Sequence, residues 1–137
     1  MKAIGRAIFV AAVFIPFAAL AENCGDLDTQ SAMNDCAFRE YKKVDKELNE
    51  IYNSYRVRLD EGQKRQLRDA QFEWVKFRDL ACAFESSGVE GGSVYPLVIN
   101  YCLARRTADR VKELSALANC KEGDLSCPAW KWASLWR

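Results

Sequence analysis

The sequence predicts an all-α fold: an antiparallel three-helix bundle tied by disulfides, with a short extra element at the C-terminus. Three observations carry this. Apolar residues recur every three or four positions along three long stretches, the pattern of an amphipathic helix with 3.6 residues per turn. Glycine and proline fall at the ends of these stretches, where turns are needed. Six cysteines follow an export-type leader, and an even count in that setting reads as three bridges, not a metal site.

The leader comes first. Lys2 and Arg6 precede an apolar run over 7–21 that ends in Ala19-Leu20-Ala21. A basic start, a short apolar core and small residues before the cut make a secretory signal peptide with cleavage after Ala21. The run is shorter than the roughly 20 apolar residues of a membrane span. Asn23, not a small residue, precedes Cys24, so no lipid anchor is expected. The expected product is soluble, periplasmic or secreted, with a helical domain over 22–118 and a Cys- and Trp-rich extension over 119–137.

Charge and composition exclude several functions. Removing Lys2 and Arg6 leaves 18 basic against 19 acidic residues, a formal charge of −1. That balance argues against nucleic acid or an anionic membrane as the main partner. There is no histidine, so the usual general base and the commonest metal ligand are both missing. No C-x-x-C spacing occurs, which leaves no thioredoxin-like pair or zinc knuckle. No metal, cofactor or catalytic activity is expected.

Helix one starts with Asp28 or Thr29 as its N-cap and runs to about Arg58. Its stripe is Met33, Ala37, Tyr41, Val44, Leu48, Ile51, Tyr55 and Leu59. Asp60 and Gln63 form a capping box for helix two, and the tight connection favours antiparallel neighbours. Helix two carries Leu67, Ala70, Trp74, Phe77, Ala81 and Phe84 on one stripe. It reads as the central helix, with that stripe, Trp74 included, buried. It ends near Ser86, and a flexible Gly-rich loop follows. Ser93 is the expected cap of helix three, with Pro96 in the first turn. Val94, Leu97, Tyr101, Ala104, Ala108, Val111, Leu114 and Ala118 then share a face.

Helical spacing places Cys36, Cys82 and Cys102 in one layer, opposite the helix one–two turn. Pairing of Cys24 with Cys36 and Cys82 with Cys102 is favoured, while Cys36–Cys82 with Cys24–Cys102 stays open. Cys120 and Cys127 close a local loop. Charge is sorted as well. Glu22, Asp26, Asp28, Asp35, Glu85 and Glu90 surround the cysteine layer, and Arg56, Arg58, Lys64, Arg65, Arg68 and Lys112 surround the other end.

Three sites stand out. Asp45, Asn49, Gln71, Arg78 and Asp79 form a polar set between helices one and two, read as a buried ion-pair and amide network that fixes register. The loop between Cys82 and Cys102 offers Glu85, Glu90, Gly91, Gly92, Ser93 and Tyr95 as a partner-binding surface, and stapled ends reduce the entropy lost on binding. Trp130, Trp132 and Trp136 sit in the tail, where packing against the bundle is the simplest role and partner docking the alternative.

An ordered set of residues resembles the LprI-like lysozyme inhibitor family. It comprises Cys24, Thr29-Gln30, Met33-Asn34, Cys36-Ala37, Tyr41, Asp45, Leu48-Asn49 and Tyr52. It continues through Leu67, Ala70-Gln71, Trp74, Phe77-Arg78-Asp79, Cys82, Gly91-Gly92-Ser93, Cys102, Thr107 and Arg110. The resemblance covers about 24–117 and implies a helical, disulfide-tied exported domain that inhibits lysozyme-type muramidases. Occlusion is the expected mechanism, with the acidic loop end steered over a cationic enzyme's sugar-binding cleft. An envelope assembly partner docking through the Trp-rich tail is the second reading. A carboxylate-dependent hydrolase is the third.

Overall fold

The architecture is visible in a computed structural model that describes residues 23–121 and 123–128. The expected signal peptide and the tail tryptophans lie outside the described residues. A 3-10 turn at Cys24–Asp26 leads into α1 (Gln30–Arg56), α2 (Glu61–Ser86) and α3 (Tyr95–Ala118), with a second 3-10 turn at Ser87–Val89. The described residues contain no strand.

Local chemistry sets the helix ends. Thr29 is the cap of α1, its hydroxyl accepting from Ala32 N–H at 3.1 Å. Asp60 and Gln63 form the full capping box of α2, with Gln63 N–H donating to Asp60 Oδ1 at 2.8 Å. Helix three departs from expectation: its cap is Val94, with no side-chain cap bond. Ser93 instead presents its carbonyl to Asn34 Nδ2 at 3.0 Å. Pro96 in the first turn starts the helix without a capping hydroxyl, since its fixed φ already suits it.

The packing shows which helix is central. Cys36 and Ala37 of α1 cluster with Leu97, and Leu48 clusters with Val111 and Leu114. Tyr55 and Leu59 meet Ala118. Numbers rise together on both sides, so α1 and α3 run parallel. On the other flank, Gln71, Arg78 and Cys82 of α2 contact Arg110, Thr107 and Cys102, in falling order, so α2 is antiparallel to α3. The helix between the other two is α3, not α2.

This corrects the reading of the α2 stripe. Phe77 is 59% exposed and Phe84 81%, while Ala70 is also exposed and Trp74 only half-buried. The buried positions of α2 are Arg78, Cys82 and Ser86. An outer helix rotates its best contact face inward, and here that face carries the disulfide and the polar partners of α3. The α3 stripe shifts for a related reason. A central helix meets neighbours on two sides, so Thr107 and Cys102 are buried while Tyr101 stays 39% exposed.

The bridges join Cys24 to Cys36, Cys82 to Cys102 and Cys120 to Cys127, with no free cysteine among the described residues. One of them does the work of a short apolar core. Cys24 and Cys36, both buried, form a cluster with Ala37 and Leu97. Such bridges typically add about 2–4 kcal/mol, which a domain this small needs.

The α3-centred core predicts an asymmetry in mutant stability. Leu114, at 0% exposure, should cost about 2–5 kcal/mol when cut to Ala. Phe84→Ala should cost no more than about 0.5 kcal/mol, as for an exposed site. Denaturant unfolding of the two variants measures both, and the reverse order would place the core on the α2 stripe instead.

Candidate functional site

The polar set expected between helices one and two gathers around one buried cation. Arg78 is 5% exposed. It faces Asp45 of α1 at 3.5 Å, Asp79 at 2.8 Å and Thr107 of α3 at 3.2 Å. Its guanidinium also lies 5.5 Å from the Tyr41 ring and 5.4 Å from the Trp74 ring, within cation–π range. Every donor face of the fork therefore meets an acceptor or a ring, as a buried charge requires. Burial pushes the Tyr41 hydroxyl pKa up, with Arg78 opposing it, so the phenol stays protonated.

Two expected members of this network go elsewhere. Asn49 is exposed and donates to the Asp45 carbonyl of its own helix at 2.8 Å. Gln71 accepts from Arg110 Nε of α3 at 3.1 Å. Arg110 in turn pairs with Glu113 at 2.8 Å and lies 5.6 Å from the Trp74 ring. The network thus ties α2 to α3 as much as to α1. Thr107 and Arg110 complete it. Thr107 was detectable as a lone hydroxyl set a helical turn from Leu103, Ala104 and Val111.

Between α1 and α2 the surface opens into a furrow of about 510 Å³. Tyr41, Asp45, Asn49 and Tyr52 line it from α1, and Gln71, Phe72 and Arg78 from α2. Four of the five residues of the polar set, Asp45, Asn49, Gln71 and Arg78, thus also line a groove.

The loop after α2 is more ordered than its glycines imply. Glu90 N–H donates to Ser87 O, Gly92 N–H to Val89 O at 3.0 Å and Tyr95 N–H to Gly92 O at 3.1 Å. The chain is thus a run of tight turns. Gly91, at φ +77°, occupies the left-handed region that other residues resist. The Cys82–Cys102 bridge holds one side and the Asn34–Ser93 bond the other. Tyr95 is half-buried at the start of α3, while Glu90, Gly91, Gly92 and Ser93 are exposed.

Glu85 does not belong to that exposed set in chemical terms. Its carboxylate bonds Arg106 and pairs with Arg105 at 3.2 Å. The Arg106 hydrogen bond holds its pKa below the usual carboxylate range. Arg106 also lies 5.4 Å from the Phe77 ring. Glu85 is a tether between α2 and α3, so the free acid of the loop is Glu90, which has no ion pair among the described residues.

These features define a disulfide-stapled helical module with an ordered end loop and a side furrow, and with no metal-binding cluster among the described residues. No described helix is long and apolar enough to cross a membrane. The chain belongs to the family described as lysozyme inhibitor LprI, which matches residues 21–114, and that family is named for inhibition, not catalysis. The chain is also 28% identical, over 113 residues, to an uncharacterised protein of Rhizobium meliloti (strain 1021). That alignment spans 73% of this chain and 81% of the relative. No solved structure matches.

The Glu85 tether sets a pH dependence. A pKa lower in the folded than in the unfolded chain stabilises the fold at and above the ordinary carboxylate range. The contribution is lost as pH falls through the lowered folded value. Wild type should therefore melt above Glu85→Gln at neutral pH, and the gap should close in acid. Thermal melts of both proteins across that range check the sign, and a gap widening in acid would contradict it.

Proposed function

We propose that the protein inhibits a lysozyme-type muramidase by seating the loop between α2 and α3 over the enzyme's sugar-binding cleft. Family membership supports the class of partner. The observation that carries the choice of surface is the loop's state before binding: pinned at both ends, turned by its own backbone bonds, and presenting Glu90 with no ion pair among the described residues. A loop already ordered loses little entropy on docking.

Charge supports the same end. Asn34 meets the loop through Ser93, which brings the start of α1 alongside it. Asp35 is the next residue, and Asp28 lies just before the helix; both are exposed. Together with Glu90 they present acid toward a cationic enzyme, and such charges act mainly on encounter. Glu85 contributes shape instead, because Arg105 and Arg106 neutralise it.

A muramidase assay with the purified chain is the test. Wild type should inhibit at least one lysozyme class. Asp35→Lys combined with Glu90→Lys should slow association about tenfold at low salt, less at high salt, with an unchanged melting temperature. Full inhibition by the double variant would remove this end as the contact surface. No inhibition by wild type across several lysozyme classes would overturn the function itself.

A further inference from the structure

The furrow between α1 and α2 has no part in the loop-end reading, yet it is built like a site. We infer that it binds a neutral oligosaccharide. Its lining residues run from Tyr41 to Tyr52 on α1 and from Arg68 to Arg78 on α2, which at 1.5 Å per residue makes a trough about 15 Å long. That is an extended shape, suited to a chain and not to a compact metabolite.

The charges in the trough are compensated. Arg78 is neutralised by Asp45 and Asp79, and Arg68 pairs with Asp69 at 2.8 Å. A phosphate or carboxylate ligand meets no unpaired guanidinium there. A hydrocarbon chain or an apolar helix would strip water from these polar groups and return no hydrogen bonds. A polyhydroxyl ligand suffers neither penalty, because each hydroxyl both donates and accepts.

The hydrogen-bonding groups are also fixed in advance. Asn49 commits its Nδ2 to the Asp45 carbonyl, which leaves Oδ1 as an acceptor with no partner among the described residues. Gln71 commits its Oε1 to Arg110, which leaves the Nε2 donors likewise open. One wall thus offers an acceptor and the other a donor, each with its orientation set by an internal bond. Tyr41, Tyr52 and Phe72 supply aromatic surface beside them; one face of Tyr41 meets Arg78 and one of Phe72 meets Lys76, and Phe72 is still 61% exposed. Aromatic faces and fixed planar amides in one trough match the alternating C–H faces and hydroxyl edges of linked sugar rings. Preorganisation of this kind lowers the cost of binding.

Calorimetric titration of the purified chain with cellotetraose and with chitotetraose tests the site, with tetragalacturonate as an anionic comparator. At least one neutral tetrasaccharide should bind with a Kd of millimolar or tighter, little changed by salt, and tighter than tetragalacturonate. Phe72→Ala, at an exposed position, and Gln71→Ala should each weaken it about tenfold, with circular dichroism confirming the fold. Asp35→Lys with Glu90→Lys should bind sugar as wild type does, which separates this site from the loop end. Failure of both neutral sugars, tighter binding of the acidic one, or wild-type affinity in Phe72→Ala would overturn the inference.

Discussion

The buried guanidinium of Arg78 is the interaction on which the arrangement of all three helices depends. It reaches Asp45 on α1 and Thr107 on α3 from a position on α2, with rings from α1 and α2 against its faces. A cation taken out of water must have its partners in place, or it costs several kcal/mol. Any sliding of one helix along another would strip a partner from it. A single register therefore satisfies it, whereas an apolar side chain of similar volume would tolerate several.

The same economy explains why the helices are not equivalent. Helices α1 and α3 are joined by apolar clusters. Helix α2 adds Leu67 and Trp74 to the apolar clusters and joins α3 further through a ladder of Gln71–Arg110, Arg78–Thr107, Cys82–Cys102 and Glu85 with Arg105 and Arg106. The furrow opens between α1 and α2, where Asp45 and Arg78 cross, and Phe77, Leu80 and Phe84 stay exposed on α2.

Much of this was legible in the sequence, and the reasons differ by feature. Helix ends with side-chain caps are written locally: the Asp60–Gln63 box forms as the spacing predicts, and of the two candidates Asp28 and Thr29 the cap of α1 is Thr29. The favoured bridges, Cys24–Cys36 and Cys82–Cys102, are those formed. What periodicity does not encode is which of three amphipathic helices sits between the other two. An apolar stripe marks one face of α2 but says nothing of whether that face finds a neighbour. Phe77 and Phe84 are exposed for that reason, and Thr107 hides from a search for polar clusters because it sits within an otherwise apolar face. The acid at Glu85 was legible as a charge, but its two arginine partners, about 20 positions on, belong to a fold and not to a spacing.

The bridges have a consequence for how the chain acquires its covalent structure. Each joins a cysteine to the next one along the sequence: first to second, third to fourth, fifth to sixth. An oxidant meeting the thiols in order of synthesis, and pairing each with the next to arrive, would produce this set directly. Six thiols allow 15 complete pairings, and all the others would need reshuffling to reach it. Oxidative maturation of this protein is thus open to a simple donor of disulfides, without a proofreading isomerase.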